Sequence, residues 1–362
     1  MTQLYVSKGL FPKEYFGATV DYIAAVQCHD GGIPWYEDGT LDPWDHVEAA
    51  MGLSIGGLHQ QAQRAFYWLA EQQRRDGSWL AAYKDGAVVD GTRAETNFVA
   101  YVATGIWHHY LINPDAMFLQ DMWPVARAAM EFIADLQTPY GEVYWALDTR
   151  TGINKDALIT GCSSIYKSLE CMANICVVLG KDPRGWLLIR ERLGDAIRNK
   201  PERFDRTWPS KSRYSMDWFY PVLTGVLEGE AARRRLRAQW DRFVEKGMGC
   251  RCVAEEPWVT VAETCELTLA LTAAGETQRA TEVFSWLHDY RAADGSWWTG
   301  YALRDQVLWP EERPTWTAGA VLLAGDALAQ HTRANRLFTE VRLPPAFENS
   351  EGSGHLARLE QP

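Results

Sequence analysis

Gln73-Arg-Arg-Asp-Gly-Ser-Trp79 is one version of a turn that recurs along the chain. It returns as Gln27-Cys-His-Asp-Gly-Gly-Ile-Pro-Trp35 and as Arg291-Ala-Ala-Asp-Gly-Ser-Trp297. A looser copy is Gln137-Thr-Pro-Tyr-Gly-Glu-Val-Tyr-Trp145. Each copy ends a stretch with helical periodicity and opens a loop. Asp-Gly suits a helix stop, because glycine takes the left-handed cap conformation without a Cβ penalty. A supersecondary unit that returns along a chain marks a repeat architecture.

The stretches that precede the turns, and others like them, are polar on one face. They fall near 14–28, 59–73, 121–137, 184–199, 230–245 and 277–291. One solvated side makes them outer helices. A second set alternates with them and is apolar nearly all round, near 47–57, 98–107, 165–179, 222–227, 267–274 and 318–328. Helices apolar on every side are buried. Six outer helices alternating with six inner ones predict an all-α fold, a single (α/α)6 toroid of six helical hairpins. A ring closes on itself and leaves no repeat with an exposed apolar face. The toroid is expected over 1–343, with a polar tail from 344 to 362.

The chain has 362 residues, of which 47% are hydrophobic, so a large core can form. A net charge of −11 argues against nucleic acid, which needs a basic stripe, and against an anionic membrane surface. No long apolar run exists to span a bilayer, and Met1-Thr-Gln-Leu-Tyr-Val-Ser-Lys8 has no signal core. Seven cysteines without a C-x-x-C pair read as reduced thiols, and so as a cytoplasmic protein. No His, Cys and Asp set has metal spacing, and no cofactor is implied. The 17 tryptophans are several times ordinary usage.

In such a ring the N-termini of the inner helices converge at one end. They carry partial positive charge and unpaired N–H groups, which suits acidic side chains and polar ligands. The residues at these starts are therefore the candidate site. They include Asp42, Trp44, Asp45 and His46; Glu95 and Asn97; Ser163, Tyr166 and Lys167; Asp217, Trp218 and Tyr220; Trp258 and Glu263; Glu312 and Trp316. Some of the carboxylates have a structural alternative. Asp42-x-x-Asp45, Thr92-x-x-Glu95 and Thr260-x-x-Glu263 all match a capping box, and Pro43 fits the first helical position. Asp217 has no such duty if Pro221 starts its helix near Tyr220, leaving the carboxylate in the turn above. Glu312 fits a surface loop as well as a site. Lys167 is either a buried base or a partner of one carboxylate.

The tryptophans divide in the same way. Trp68, Trp123, Trp240 and Trp286 lie on outer helices and read as packing. Trp35, Trp44, Trp79, Trp145, Trp218, Trp258, Trp297 and Trp316 fall in the loops and helix starts of one face. Aromatic faces there can stack on sugar rings or stabilise a cation.

The Gln73–Trp79 turn resembles the Q-x-x-x-G-x-W repeat of squalene–hopene-type terpenoid cyclases, whose toroid fold is shared by protein prenyltransferase β subunits. That resemblance implies the ring and an isoprenoid substrate. Those cyclases protonate an alkene with an Asp-x-Asp-Asp motif; in Asp42-Pro-Trp-Asp45, Trp44 stands where the proton donor belongs. The zinc site of prenyltransferases has no counterpart. Asp42-Pro-Trp-Asp-His-Val-Glu48 also resembles the acid-bearing Asp-Leu-Trp-Glu-Glu segment of glucoamylase-type six-hairpin glycosidases. Trp309-Pro-Glu-Glu312, with Pro314-Thr-Trp-Thr317 after it, is similar in style to their base segment.

The expectation is therefore an inverting glycoside hydrolase acting on a small sugar substrate. One carboxylic acid would protonate the leaving oxygen and one carboxylate would activate water. Asp45 is the candidate acid and Asp217 the candidate base, with Glu95, Glu263 and Glu312 in reserve. Trp35, Trp44, Trp79, Trp145, Trp218, Trp258, Trp297 and Trp316, with Tyr36, Tyr166 and Tyr220, would form the sugar platform, and Asp42, His46, Asn97, Ser163 and Lys167 would add polar contacts. A terpenoid cyclase-like or prenyl-handling enzyme with an aromatic cavity is the alternative, and a non-catalytic binding toroid a second.

Overall fold

The computed structural model describes residues 6–344, so the tail read from 344 onward lies outside the described residues after Pro344. Twelve α-helices make up most of it: α1 Lys13–Val26, α2 Pro43–Ile55, α3 His59–Gln72, α4 Thr96–Ile112, α5 Ala116–Asp135, α6 Ile159–Val178, α7 Arg184–Asn199, α8 Ser215–Leu223, α9 Gly229–Phe243, α10 Val261–Ala273, α11 Thr277–Ser285 and α12 Thr315–Ala329. A 3-10 turn, Trp286–Tyr290, prolongs α11. The even-numbered helices pack in sequence, α2 on α4, then α6, α8, α10 and α12, and α12 packs back on α2. Each odd-numbered helix lies outside the even one beside it. The inner set is apolar all round and buried on every side, as its sequence requires.

The repeated turn explains how the outer ring is hooped. In Gln73–Trp79 the backbone at Gly77 is left-handed (φ 86°), and a Cβ there would meet the carbonyl of Ala128 on α5 at 2.1 Å. The Gln73 amide donates to the carbonyls of Gly77 and Val125, so the turn is tied to itself and to the next outer helix. Trp79 is fully buried and donates its indole N–H to Leu69. Gln27 makes the same pair of bonds to Gly31 and Gln61, and Gln137 to Gly141 and Ile189. In the last copy Arg291 replaces the glutamine and reaches the Tyr15 carbonyl of α1, while Trp297 donates to Thr19. That contact joins the end of the ring to its beginning. Trp79 and Trp297 are thus core residues, not platform residues.

The fold is not purely helical, contrary to expectation. Ten short strands form three antiparallel sheets: β1 Ala82–Lys84 with β2 Ala87–Asp90; β3 Arg93–Glu95, β4 Ala146–Asp148 and β5 Gly152–Asn154; and a five-stranded set of β6 Val244–Glu245, β7 Gly249–Arg251, β8 Trp258–Thr260, β9 Gly300–Ala302 and β10 Val307–Leu308. All lie in connections from an outer helix to an inner one, which are long. The return connections, such as 56–58 and 274–276, are short. Long extended loops side by side satisfy each other's N–H and C=O groups, and that pairing makes the sheets. It also explains why two expected capping boxes are absent. Glu95 and Thr260 precede α4 and α10 without a side-chain cap, because carbonyls of neighbouring loops serve the helix starts: Trp145 accepts from Thr96 N and Thr299 from Val261 N, both at 2.9 Å. Asp42 does cap α2, accepting from the N–H groups of Trp44 and Asp45, with Pro43 at the first position.

Helix α8 begins at Ser215, not near Tyr220, so Asp217 sits in its first turn with Pro221 inside the helix. Proline leaves the carbonyl four residues earlier without its donor. That carbonyl belongs to Asp217, and Arg235 of α9 supplies the missing donor at 2.8 Å, with a second bond to the Trp218 carbonyl at 2.7 Å.

The far end of the ring is closed by the chain after α12. Phe338 lines a small cavity there together with Leu223, Leu269 and Leu323 of three inner helices. Lys167 donates to the Glu340 carbonyl at 3.0 Å, and Glu170 accepts from the Arg342 N–H at 2.9 Å. Glu170 also pairs with Lys167 and Arg190, all buried.

Candidate active site

Every long connection enters an inner helix at the same end, and there the ring opens into a cavity of about 310 Å³. All six inner helices line it: α2 with Trp44, Asp45 and Glu48; α4 with Asn97 and Phe98; α6 with Thr160; α8 with Met216; α10 with Ala262, Glu263 and Glu266; α12 with Trp316 and Ala320. Asp45 and Glu48 are three residues apart, as are Glu263 and Glu266. That spacing puts each pair on one helical face. Two helices thus each offer one carboxyl group near the mouth and one a turn deeper.

The deeper pair is held by tyrosines. Tyr101 donates to Glu48 at 2.6 Å, and Tyr220 donates to Glu266. Trp44 stacks on Tyr101, with ring centroids 4.2 Å apart and planes 12° from parallel. Burial lifts Glu48 to about 7 against the lowering effect of the tyrosine bond. Burial, then the neighbouring Glu263, holds Glu266 well above the carboxylate range. Asp45 is raised well above it too, first by burial, then by the Asp42 carboxyl to which it is hydrogen-bonded, then by Glu48 and Glu266. Like charges gathered in one cavity resist joint ionisation, which favours the protonated form of Asp45. Asp42 is otherwise engaged with three N–H donors, including the Trp35 indole at 2.9 Å.

Asn97 Oδ1 and the Trp316 indole nitrogen are buried in the cavity wall without a partner among the described residues. Such groups are costly unless something binds them. One acceptor and one donor beside an aromatic wall suit a polar ligand with hydroxyl groups and an apolar ring face.

The structure therefore brings Trp44, Asp45, Asn97, Glu263 and Trp316 together, with Asp42 and Tyr220 directly behind them. The other candidates lie elsewhere. His46 is wholly buried between the Ile33 N–H and the Ala65 carbonyl, and burial lowers it to about 4. Trp218 stacks on Phe243 and donates to Arg235, as a core residue. Tyr166 packs under the Arg190 guanidinium, 3.8 Å from its ring centroid. Lys167 pairs with Glu170 towards the closed end, and Ser163 is buried outside the lining. Glu95 is held by Arg93 at 2.7 Å and by the Trp145 indole. Asp217 is buried near Arg235 and Asp205 and does not line the cavity. Trp35, Tyr36, Trp258 and Glu312 belong to the loops around the mouth. Glu48, Glu266, Phe98, Thr160 and Met216 were not read from the sequence as site residues. The i,i+3 carboxylate spacing on two inner helices was the available signal for the first two.

No protein-family model matches the sequence. The chain is 46% identical over 340 residues, 94% of its own length and 93% of the relative's, to the MMP endo-(1,4)-3-O-methyl-alpha-D-mannosidase of Mycolicibacterium hassiacum. Among solved structures, a glycosidase in complex with glucose superposes with a TM-score of 0.70 at 15% identity, covering 92% of this chain and 97% of that one. A D-mannose isomerase follows with 0.65 at 10% identity, covering 86% and 95%. At those identities the likeness is one of fold. The ring, its carboxylate-lined cavity and this kinship define a glycoside hydrolase. More narrowly, the chain belongs to the family of the Mycolicibacterium endo-mannosidase. These relatives are enzymes of carbohydrates, so the turn shared with terpenoid cyclases carries architecture and not substrate.

Proposed function

We propose that the chain hydrolyses internal α-(1,4) linkages of a 3-O-methylmannose polymer, the activity in its relative's name, by inversion. The observation that carries this is the arrangement of Asp45 and Glu263, near the mouth on α2 and α10 with a second carboxyl group beneath each. Asp45, kept protonated by burial and its acidic neighbours, gives its proton to the glycosidic oxygen as the C1–O bond breaks. Glu263 takes a proton from a water molecule whose oxygen bonds C1 from the opposite face. The products are a free hydroxyl on one fragment and a β-configured reducing end on the other. Water fits between such carboxyls when they stand about 6.5–9.5 Å apart. Glu263, not Asp217, thus takes the role of base. Glu95 and Glu312 have no step, the first being committed to Arg93. A cavity bordered by four carboxyl groups suits sugar hydroxyls better than a prenyl chain.

The test is proton NMR of the first products from α-(1,4)-linked 3-O-methylmannose oligosaccharides. A β signal that precedes the α signal is expected; an α signal first would replace inversion by double displacement. Asp45→Asn and Glu263→Gln should each lower turnover by at least about a hundredfold. Full activity in either variant would remove that residue from the mechanism.

A further inference from the structure

Two tryptophan pairs stand on the connections that enter the inner helices at the cavity's end of the ring. Trp258 and Trp309 meet edge to face with ring centroids 5.1 Å apart, and Trp309 is 52% exposed. Trp145 and Trp208 meet in the same manner at 5.4 Å. Three of the four indoles are tethered: Trp258 N–H to the Trp309 carbonyl, Trp145 to Glu95 and Trp208 to Asp205. Trp258 also lies flat against the β9 backbone, where a Cβ on Gly300 would stand 2.7 Å from its indole nitrogen.

Their placement relates them to the cavity. Trp258 precedes α10 and Glu263; Trp145 hydrogen-bonds Glu95, the residue before α4. In the ring order α2, α4, α6, α8, α10, α12, helices α4 and α10 stand opposite each other. Trp145 and Trp208 lie on the connections into α6 and α8, and Trp258 and Trp309 on those into α10 and α12, so the two pairs occupy different sectors of the ring's open end. Rigid aromatic plates offer stacking area at low entropic cost, and α-linked sugar rings present apolar faces that match them.

We propose that these pairs are outer subsites for the glycan chain, one on each side of the bond to be cut, so that a polymer lies across the mouth and dips only its scissile unit into the cavity. The proposal rests on the polymer-cleaving function given above. The occupant is the substrate's own chain, because both pairs stand on connections that lead into inner helices lining the catalytic cavity.

The experiment compares Trp309→Ala and Trp208→Ala with wild type on two probes: an α-(1,4)-linked 3-O-methylmannose oligosaccharide just long enough to fill the cavity, and the full polymer. Each variant should raise KM for the polymer about tenfold, with kcat unchanged and the short probe hydrolysed as by wild type. Trp309→Phe should recover most of the loss. Melting curves matching wild type exclude misfolding as the cause. If either variant affects both probes equally, or neither, the subsites are overturned while the glycosidase function stands. If wild type cleaves neither probe, both are overturned.

Discussion

Burial lifts the Asp217 carboxyl to about 6 against the pull of the Arg235 guanidinium, although no catalytic step uses it. Because the folded value lies above the ordinary one, the group stabilises the fold while protonated. That contribution is complete below about pH 4 and is lost as pH rises through about 6. Asp217→Asn should therefore remove a loss of up to about 3 kcal/mol between acidic and neutral pH. Urea unfolding of variant and wild type at about pH 4.5 and about pH 7.5 measures the difference; parallel profiles would show that Asp217 is not the source. The residue also shows the limit of sequence inference. Position along an inner helix told which end of the ring a side chain occupies, and Trp44, Asp45, Asn97, Glu263 and Trp316 were legible for that reason. Direction around the helix was not legible, since helices apolar on all sides have no polar stripe to mark the axis. His46, Trp218 and Asp217 point away from the cavity on that account, and Glu48 and Glu266 lay one turn deeper than the helix starts.

At the scale of elements, the alternation of half-polar and apolar helices was readable except at α8, expected over 222–227 and found at Ser215–Leu223, since burial on one side or on all sides dictates each pattern. The strands were not, because two to four residues are too few to show an alternation, and loop neighbours distant in sequence pair them. The recurring turn was visible as a motif, but its function as a tie between outer helices needed the structure. Gly77→Ala tests that function. The substitution forces a left-handed residue with a Cβ against the Ala128 carbonyl. It should cost about 3 kcal/mol, read as a lower urea midpoint. A change under about 0.5 kcal/mol, the scale of an ordinary surface substitution, would show that the turn yields easily.

For the whole molecule, the final segment is held to the ring through a buried charge cluster. Glu170 faces Lys167 at 2.8 Å and Arg190 at 3.0 Å and accepts the Arg342 N–H. Glu170→Ala would leave two buried cations without their counter-charge, a loss of about 3–5 kcal/mol in urea unfolding. Unchanged stability would mean that the segment is held by Phe338 and its neighbours alone. The same segment makes the barrel a cul-de-sac. For the polymer substrate proposed above, no strand could be reeled through such a barrel, so both fragments of a cut chain would leave by the entrance. On the endo-cleavage proposed above, a digest begun on uniform chains should scatter into many lengths instead of paring them down from one tip.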